Sequence, residues 1–350
     1  MAGTARKAFV ATLVGLAVVV GALALWKLKL VLSLVFLGFV IAAAMRPGVD
    51  ALKRRGIPRG AGVAIHYLLL LGLVALFLWL VVPRAVTQVQ HALDRDRIRH
   101  AARTSTGIKH DILAGLDKRL RRLPSGGKLV RPAAEVTKRA FEVLIGIFFT
   151  LAVGAYWIFE RDRAIDLVAS LMPREKRKRM RDTWDLIDAK LGAFVRGQAL
   201  LIVLVGTVLS TAFAIIGLPY WILVGSFAGI VEIVPVIGPL AAGALAVGVG
   251  LTVSWHTALA AGLAVLAVRL LEDYIVLPKV LGDATGLSPL VVLFSVSAIT
   301  ILFGGFAVLL AVPFAAVLAT LVDVVVRGRN PAEEEVPTVL FPAKDAEVSS

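Results

Sequence analysis

One carboxylate stands apart from its surroundings. Glu232 sits in an otherwise apolar run three positions before Pro235, where a helix should open because proline supplies no amide hydrogen and crowds the preceding turn. A carboxylate at membrane depth is costly. It is retained on an ion or proton path, where it binds and releases charge, or as a cap for backbone freed at the break. A second acidic pair, Glu272 and Asp273, follows Arg269 at i+3 and i+4. That spacing allows a local ion pair on one helix face, or leaves Glu272 free to face a cavity. Asp323, near the end of the apolar region, reads as an interfacial acid.

Backbone can also do chemistry here. Pro235, Gly238 and Pro239 interrupt the apolar segment Gly217–Val253, and Gly304 and Gly305, with Pro313 beyond, interrupt Gly286–Val326. Non-helical backbone at membrane depth is tolerated only where it lines a cavity or is buried in protein. Helix ends exposed there present partial charges of both signs to a polar solute; the alternative is a pair of packing kinks. Arg196 and Gln198, at the inner boundary of the apolar core, and Pro278 and Lys279, between the two segments, read as gating or boundary residues. Enzyme chemistry is not indicated. There is no His-Glu-x-x-His, Gly-x-Ser-x-Gly or P-loop signature, and the five histidines are scattered. No metal site or cofactor is expected.

A membrane scaffold has to position these residues. The chain has 350 residues, 59% of them hydrophobic, and a mean hydropathy of +0.87. Several runs are long enough to cross a hydrocarbon layer of ~30 Å at ~20 residues each. The net charge of +14 could suggest nucleic acid, but the basic residues crowd loops beside apolar runs, where lipid headgroups are the partner. The absence of cysteine excludes a disulfide framework and thiolate ligation.

Five segments are expected. Residues 1–83 carry N-terminal membrane helices. The runs Ala8–Leu25 and Leu28–Met45, separated by Trp26 and Lys27, read as an uncleaved helical hairpin rather than a secretory signal, and Ala61–Val82 as a third span ended by Pro83. The loop Arg46–Gly60 has five Lys or Arg against Asp50, so it is cytoplasmic, and the hairpin brings the N-terminus to the same side. Residues 84–140 hold 14 Lys or Arg and 5 acids. Their apolar stripe of Ile112, Leu113, Leu116, Leu120 and Leu123 marks an amphipathic helical arm lying on the membrane or a partner subunit. Residues 141–197 comprise the span Phe141–Phe159 and a charged cytoplasmic helix opened by Pro173, with Trp184, Ile187, Leu191 and Phe194 on one face. Residues 198–328, with Arg269 and Lys279 as the only Lys or Arg up to Val326, form the transport core, and 329–350 read as a disordered acidic tail.

Within the core, a shift of 69 residues aligns Gly217-Leu218 with Gly286-Leu287, Pro235 with Gly304 and Gly238 with Ala307. Each copy is a full span followed by a broken segment: Ala199–Gly217 then Pro219–Val253, and Trp255–Leu271 then Ser288–Val326. Arms of ~15 residues reach ~22 Å, short of a crossing. The expected fold is an all-α polytopic membrane protein of about 5 to 8 membrane segments, including two re-entrant broken hairpins in an inverted repeat, plus the amphipathic arm. Transporters use such repeats for alternating access to a midplane site. Fully spanning arms are the alternative.

Several stretches resemble the autoinducer-2 exporter family, or PerM-like permeases, over roughly residues 8 to 328. They are Arg46-Pro47-Gly48-Val49-Asp50, Val195-Arg196-Gly197-Gln198, Glu232 through Pro239, Glu272-Asp273-Tyr274, Leu277 through Gly282, Gly286 through Leu290, and Phe303-Gly304 through Ala311-Val312-Pro313. The family pattern usually has Asn at Arg46, an aromatic at Val236, His at Ser288 and Gly at Ala307. The resemblance implies a multi-pass permease of the bacterial inner membrane, named for export of a furanosyl signalling molecule, with members similar to sodium/proton exchangers.

The expected function is a secondary transporter that exports a small polar solute, with Glu232 coupling protons or a cation. A sodium or potassium/proton antiporter is one alternative, favoured if Glu232 and Glu272 converge. A non-transporting membrane scaffold is the other. Membrane lipids and further copies of the chain, as a homo-oligomer, are the expected partners, with no nucleic acid.

Overall fold

A computed structural model describes residues 2–92, 130–234, 237–276, 288–334 and 336. Pro235, Pro278, Lys279, the stripe Ile112–Leu123 and the tail beyond 336 lie outside the described residues. Within them the chain is almost entirely helical and has no strand. The helices are α1 (Ala2–Lys27), α2 (Lys29–Arg54), α3 (Arg59–Ala92), α4 (Val130–Ser170), α5 (Arg174–Ile216), α6 (Trp221–Val231), α7 (Ile237–Leu251), α8 (Trp255–Leu271), α9 (Pro289–Phe303) and α10 (Ala311–Val325). A π-helical turn, Glu272–Val276, continues α8, and a 3-10 turn, Gly305–Leu310, leads into α10. Six helical stretches among the described residues are long and apolar enough to cross a membrane, in α1 to α5 and Gly305–Val325. The protein is an all-α polytopic membrane protein.

Local chemistry sets the ends of the core helices. Gly217, at φ 74°, stops α5: its amide reaches Ala214 O (3.1 Å) and that of Leu218 reaches Phe213 O (2.9 Å), the double bond of a left-handed glycine cap. Ser254 caps α8 by accepting from the Thr257 amide at 3.1 Å. Ser288 caps α9, with Pro289 in the first turn where its missing amide costs nothing.

Two bundles share α5. Its membrane half packs Val205, Leu209 and Phe213 against Val224 and Ala228 of α6, Ala242 and Ala246 of α7, and Ala261 and Val265 of α8. Its charged N-terminal half packs Ile187 and Leu191 on Val40 and Ala43 of α2, with Val317 of α10 against them. Met45 and Val49 on the neighbouring face of α2 meet Val63 of α3 and Ile158 of α4.

Three expectations need correction. There is no hairpin between α1 and α2. The Leu28 amide donates to Ala24 O and its carbonyl accepts from Leu32, both at 2.9 Å, so helical bonding runs through Trp26–Lys29. No glycine or proline stands there to break it, and the parity that placed the N-terminus beside the Arg46–Gly60 loop rested on that turn. Pro83 does not end α3, which continues to Ala92; Arg84 Nη1 donates to Leu80 O at 2.7 Å beside the interrupted turn. The charged helix leads directly into the span that follows it, α5 running unbroken from Arg174 to Ile216. Finally, the two broken segments are unequal. α6 and α7, at 11 and 15 residues, both fall short of a crossing, whereas Gly305–Val325 is long enough to make one.

Candidate transport and coupling site

The first break lies between α6 and α7. Glu232 is the first residue past α6 and is 5% exposed. Its carbonyl, one of those a helix end leaves without an internal donor, accepts from Nε2 of the buried Gln198 at 3.0 Å. Gly238 meets the same end from α7. The Val231 carbonyl occupies the space a Cβ would need there, and the Gly238 amide bonds to Val234 O at 2.8 Å. Only glycine permits this approach, so Gly238 is buried against backbone, while Pro239 is half-buried beside it.

The backbone of Glu232 is thus satisfied by α5, and its carboxyl faces α8. Arg269 Nη1 stands 3.3 Å from Glu232 Oε1 and also 3.3 Å from Glu272 Oε2, while Nη2 is 2.9 Å from Asp273 Oδ1. The helical ion pair expected within Arg269–Asp273 is present, yet it is not merely local: one guanidinium bridges the first break and the π-helical turn after α8. A π turn is a rare widening of the helix, found mostly at functional sites. The side chains of Glu232 and Glu272 are 5% and 4% exposed, against 30% for Arg269 and 38% for Asp273. Three carboxylates surround one guanidinium. Full ionisation would leave two net negative charges where desolvation makes uncompensated charge expensive, an excess that binding a proton or monovalent cation relieves. The arrangement can take up and release positive charge.

The second break has different chemistry. Gly304 adopts φ 92°, ψ 173°, a region open essentially to glycine alone, and no other group lies within 4 Å of where its Cβ would stand. Gly305 is equally open. Ala307 is buried with Val296, Ile299 and Ala311, so the break packs on its own two helices, and Phe314 meets Phe36 of α2 edge-on at 6.1 Å. The first broken segment packs instead on α5 and α8. A groove of about 350 Å³ between α7 and α8 is lined by Val247, Ala258, Leu259, Gly262, Leu263 and Leu266. It is apolar and contains none of the expected site residues.

Arg196 belongs to a helix crossing. Pro47 lies inside α2 and cannot bond the Ala43 carbonyl. That carbonyl would stand 2.5 Å from a Cβ on Gly192 of α5, and Arg196 Nη1 donates to the next carbonyl, Ala44 O, at 3.1 Å. Just below, a network of charges ties four helices together. Arg161 of α4, 6% exposed, bonds Asp188 through Nε and Asp185 at 2.6 Å, and Arg46 of α2 reaches the same Asp188 at 3.2 Å. Asp50 pairs with Arg46 at 3.6 Å and Arg59 of α3 at 3.9 Å.

Sequence reasoning missed this network, because its members look like ordinary loop charges until the helices assemble. It also missed the contact of α5 with α6. Gly225 and Gly229, spaced as G-x-x-x-G, face Ser210, Gly206 and the Ile202 carbonyl with no room for a Cβ. That spacing was a readable signal for close helix packing.

Comparison with known proteins agrees with this architecture. The family described as "AI-2E family transporter" matches residues 13–327. The chain is 25% identical over 321 residues to "Putative transport protein YrrI" of Bacillus subtilis, covering 86% of this chain and 89% of that one. It is 28% identical over 325 residues to "Putative transport protein MT0215" of Mycobacterium tuberculosis, covering 87% and 85%. It is also 26% identical over 330 residues to "Putative transport protein YueF" of Bacillus subtilis, covering 87% and 89%.

Proposed function

This chain belongs to the AI-2E transporter family, a family of permease-type membrane transporters, and from that premise we propose that it is a secondary exporter of a small polar solute. Uptake and release of a proton or monovalent cation at Glu232, Arg269 and Glu272 couples the export. The observation that carries this reading is the shared guanidinium: two nearly buried carboxylates, 40 residues apart in sequence, meet one Arg269 nitrogen at 3.3 Å each. A charge change there acts on both the end of α6 and the end of α8. Gln198 links the same break to α5, so protonation state and helix position are mechanically connected.

Autoinducer-2-type signalling molecules are the solute class the family name suggests, and the bacterial inner membrane is the compartment. Lipids surround the exposed apolar faces of α1, α3 and α4, and a homo-oligomer would cover part of them. A second reading, a sodium or potassium/proton antiporter, is favoured by the same convergence of Glu232 and Glu272, since such exchange needs no organic solute.

Proteoliposomes holding the purified protein, with an internal pH dye and an imposed sodium or potassium gradient, separate the two. Cation-dependent proton flux that disappears in Glu232→Gln establishes the antiporter. A flat trace from well-folded protein leaves solute export, which is then tested with autoinducer-2 in loaded vesicles. Unchanged coupled transport of either kind in Glu232→Gln would overturn the role given to this site.

A further inference from the structure

The segment after α10 does not trail away. Gly328, at φ 72°, turns the chain back, with the Arg327 amide on Val322 O (3.1 Å) and the Arg329 amide on Asp323 O (3.0 Å). Asp323 holds Arg327 at 2.7 Å and Arg329 at 3.7 Å. From α5, Arg179 Nη2 donates to Val324 O at 2.5 Å and Arg329 O at 3.2 Å. Pro331 is buried, and Asn330 forms a tight turn, accepting from the Ala332 amide at 3.2 Å and donating to Glu333 at 2.7 Å. The run ends with Glu334 Oε1 2.8 Å from Lys190 Nζ, where Lys190 is 8% exposed. The segment that reads as the start of a disordered tail thus lies along α5 from Arg179 to Lys190, toward Arg196 and Gln198.

We propose that Arg327–Glu334 is a strap that clamps the cytoplasmic end of α10 to α5 and restrains the second broken segment, with the Glu334–Lys190 pair as its releasable catch. Lys190 is a nearly buried cation, and stripping the partner from such a charge is strongly unfavourable, so the catch closes firmly. It is also built to open. Glu334 Oε2 is buried without a hydrogen-bond partner, a desolvation cost that works against the pair, while Asn330, Ala332 and Glu333 are exposed. The element it restrains matters because α10 continues directly from the 3-10 turn after Gly304. The helix it is tied to carries Gln198, which holds the first break. The strap therefore bears on both breaks, whatever the transported species.

Hydrogen–deuterium exchange on the full-length protein in lipid nanodiscs tests this, comparing wild type with Glu334→Gln, Lys190→Glu and the swap Lys190→Glu/Glu334→Lys. Both single variants are expected to raise exchange about tenfold, equivalent to ~1.4 kcal/mol, across Val326–Glu334 and also across Gly305–Leu310, and the swap to restore both. The swap and Glu334→Gln keep the test decisive if Lys190→Glu misfolds. Freed strap amides with unchanged exchange across Gly305–Leu310 would overturn the proposal, as would unchanged exchange everywhere in Glu334→Gln.

Discussion

Removing the Arg269 guanidinium should be far more damaging than removing Glu232, and removing both should hurt less than removing Arg269 alone. At 3.3 Å and an effective dielectric of about 20, each attraction to Glu232 and Glu272 is ~5 kcal/mol before desolvation. Stripping one partner from a buried ion pair costs ~3–5 kcal/mol in practice. Arg269→Gln leaves Glu232 and Glu272 facing each other without a countercharge and should lose that amount. Glu232→Gln removes one of two carboxylates competing for one nitrogen and keeps an acceptor for it, so its change should stay within ~1 kcal/mol. The double variant leaves a single buried carboxylate and should regain ~2 kcal/mol over Arg269→Gln, a coupling in the range found for residues in contact. Arg269→Lys should fall between, because an ammonium is a point charge that cannot fork across three carboxylates. Thermal unfolding in detergent, followed by tryptophan fluorescence, reads these losses at ~2–4 °C per kcal/mol, so Arg269→Gln should unfold about 6 to 20 °C early. A double variant at or below the melting point of Arg269→Gln would refute the shared-guanidinium account.

Gly229→Val should destabilise by ~1–3 kcal/mol, because its Cβ would stand 2.6 Å from Ile202 O and 2.8 Å from Gly206 Cα; the same melting assay checks it, and a wild-type melting point would mean α5 and α6 part readily. Gly304→Ala should cost ~1–3 kcal/mol for its backbone conformation alone, whereas Gly305→Ala, with equally open surroundings and no positive φ, should stay within ~0.5 kcal/mol. Equal effects of the two alanines would show that the second break does not depend on the Gly304 conformation.

The fold class was legible because span length and apolar content are direct readouts of bilayer thickness, and the breaks because proline and glycine interrupt helices for local reasons. Glu232 stood out because a lone carboxylate in an apolar run has few neutral explanations. The local ion pair of its partner Arg269 was legible too, but not the reach of that guanidinium to Glu232. Arg269 sits at i−3 and i−4 from Glu272 and Asp273, a spacing that explains itself without Glu232, and only the shared packing of α6 and α8 on α5 and α7 brings the third carboxylate to it. The errors at Trp26–Lys29 and Pro83 share a cause. Charged residues and a single proline mark helix ends statistically, but neither ends a helix whose remaining bonds stay satisfied, as those through Leu28 do. The strap at Arg327–Glu334 was hidden by composition, since an acidic, proline-containing stretch reads as tail until Lys190 is seen beneath it.

What binds these features into one device is α5. Over 43 residues, about 65 Å at 1.5 Å per residue, it carries Asp185 and Asp188 into the charge network, Lys190 onto the strap, Gly192 and Arg196 against the Ala43 and Ala44 carbonyls of α2, Gln198 onto Glu232, and Val205–Phe213 into the membrane core. Asp188 and Gln198 are ten residues apart on it, so the charge network lies only ~15 Å from the first break. Sharp kinks in helices come from proline, glycine and serine pairs, π-bulges or inserted groups. Between Asp188 and Gln198 there is no proline, and the glycines at 192 and 197 are buried, with Gly192 held against the α2 backbone. This stretch of α5 therefore has no independent hinge, and a displacement at its charge network is passed to the next contact along the rod, the bond from Gln198 to the Glu232 carbonyl. Glu232, with its carbonyl at that bond and its carboxyl on Arg269, feels helix position through its backbone and charge through its side chain, which is the pairing the proposed coupling role requires.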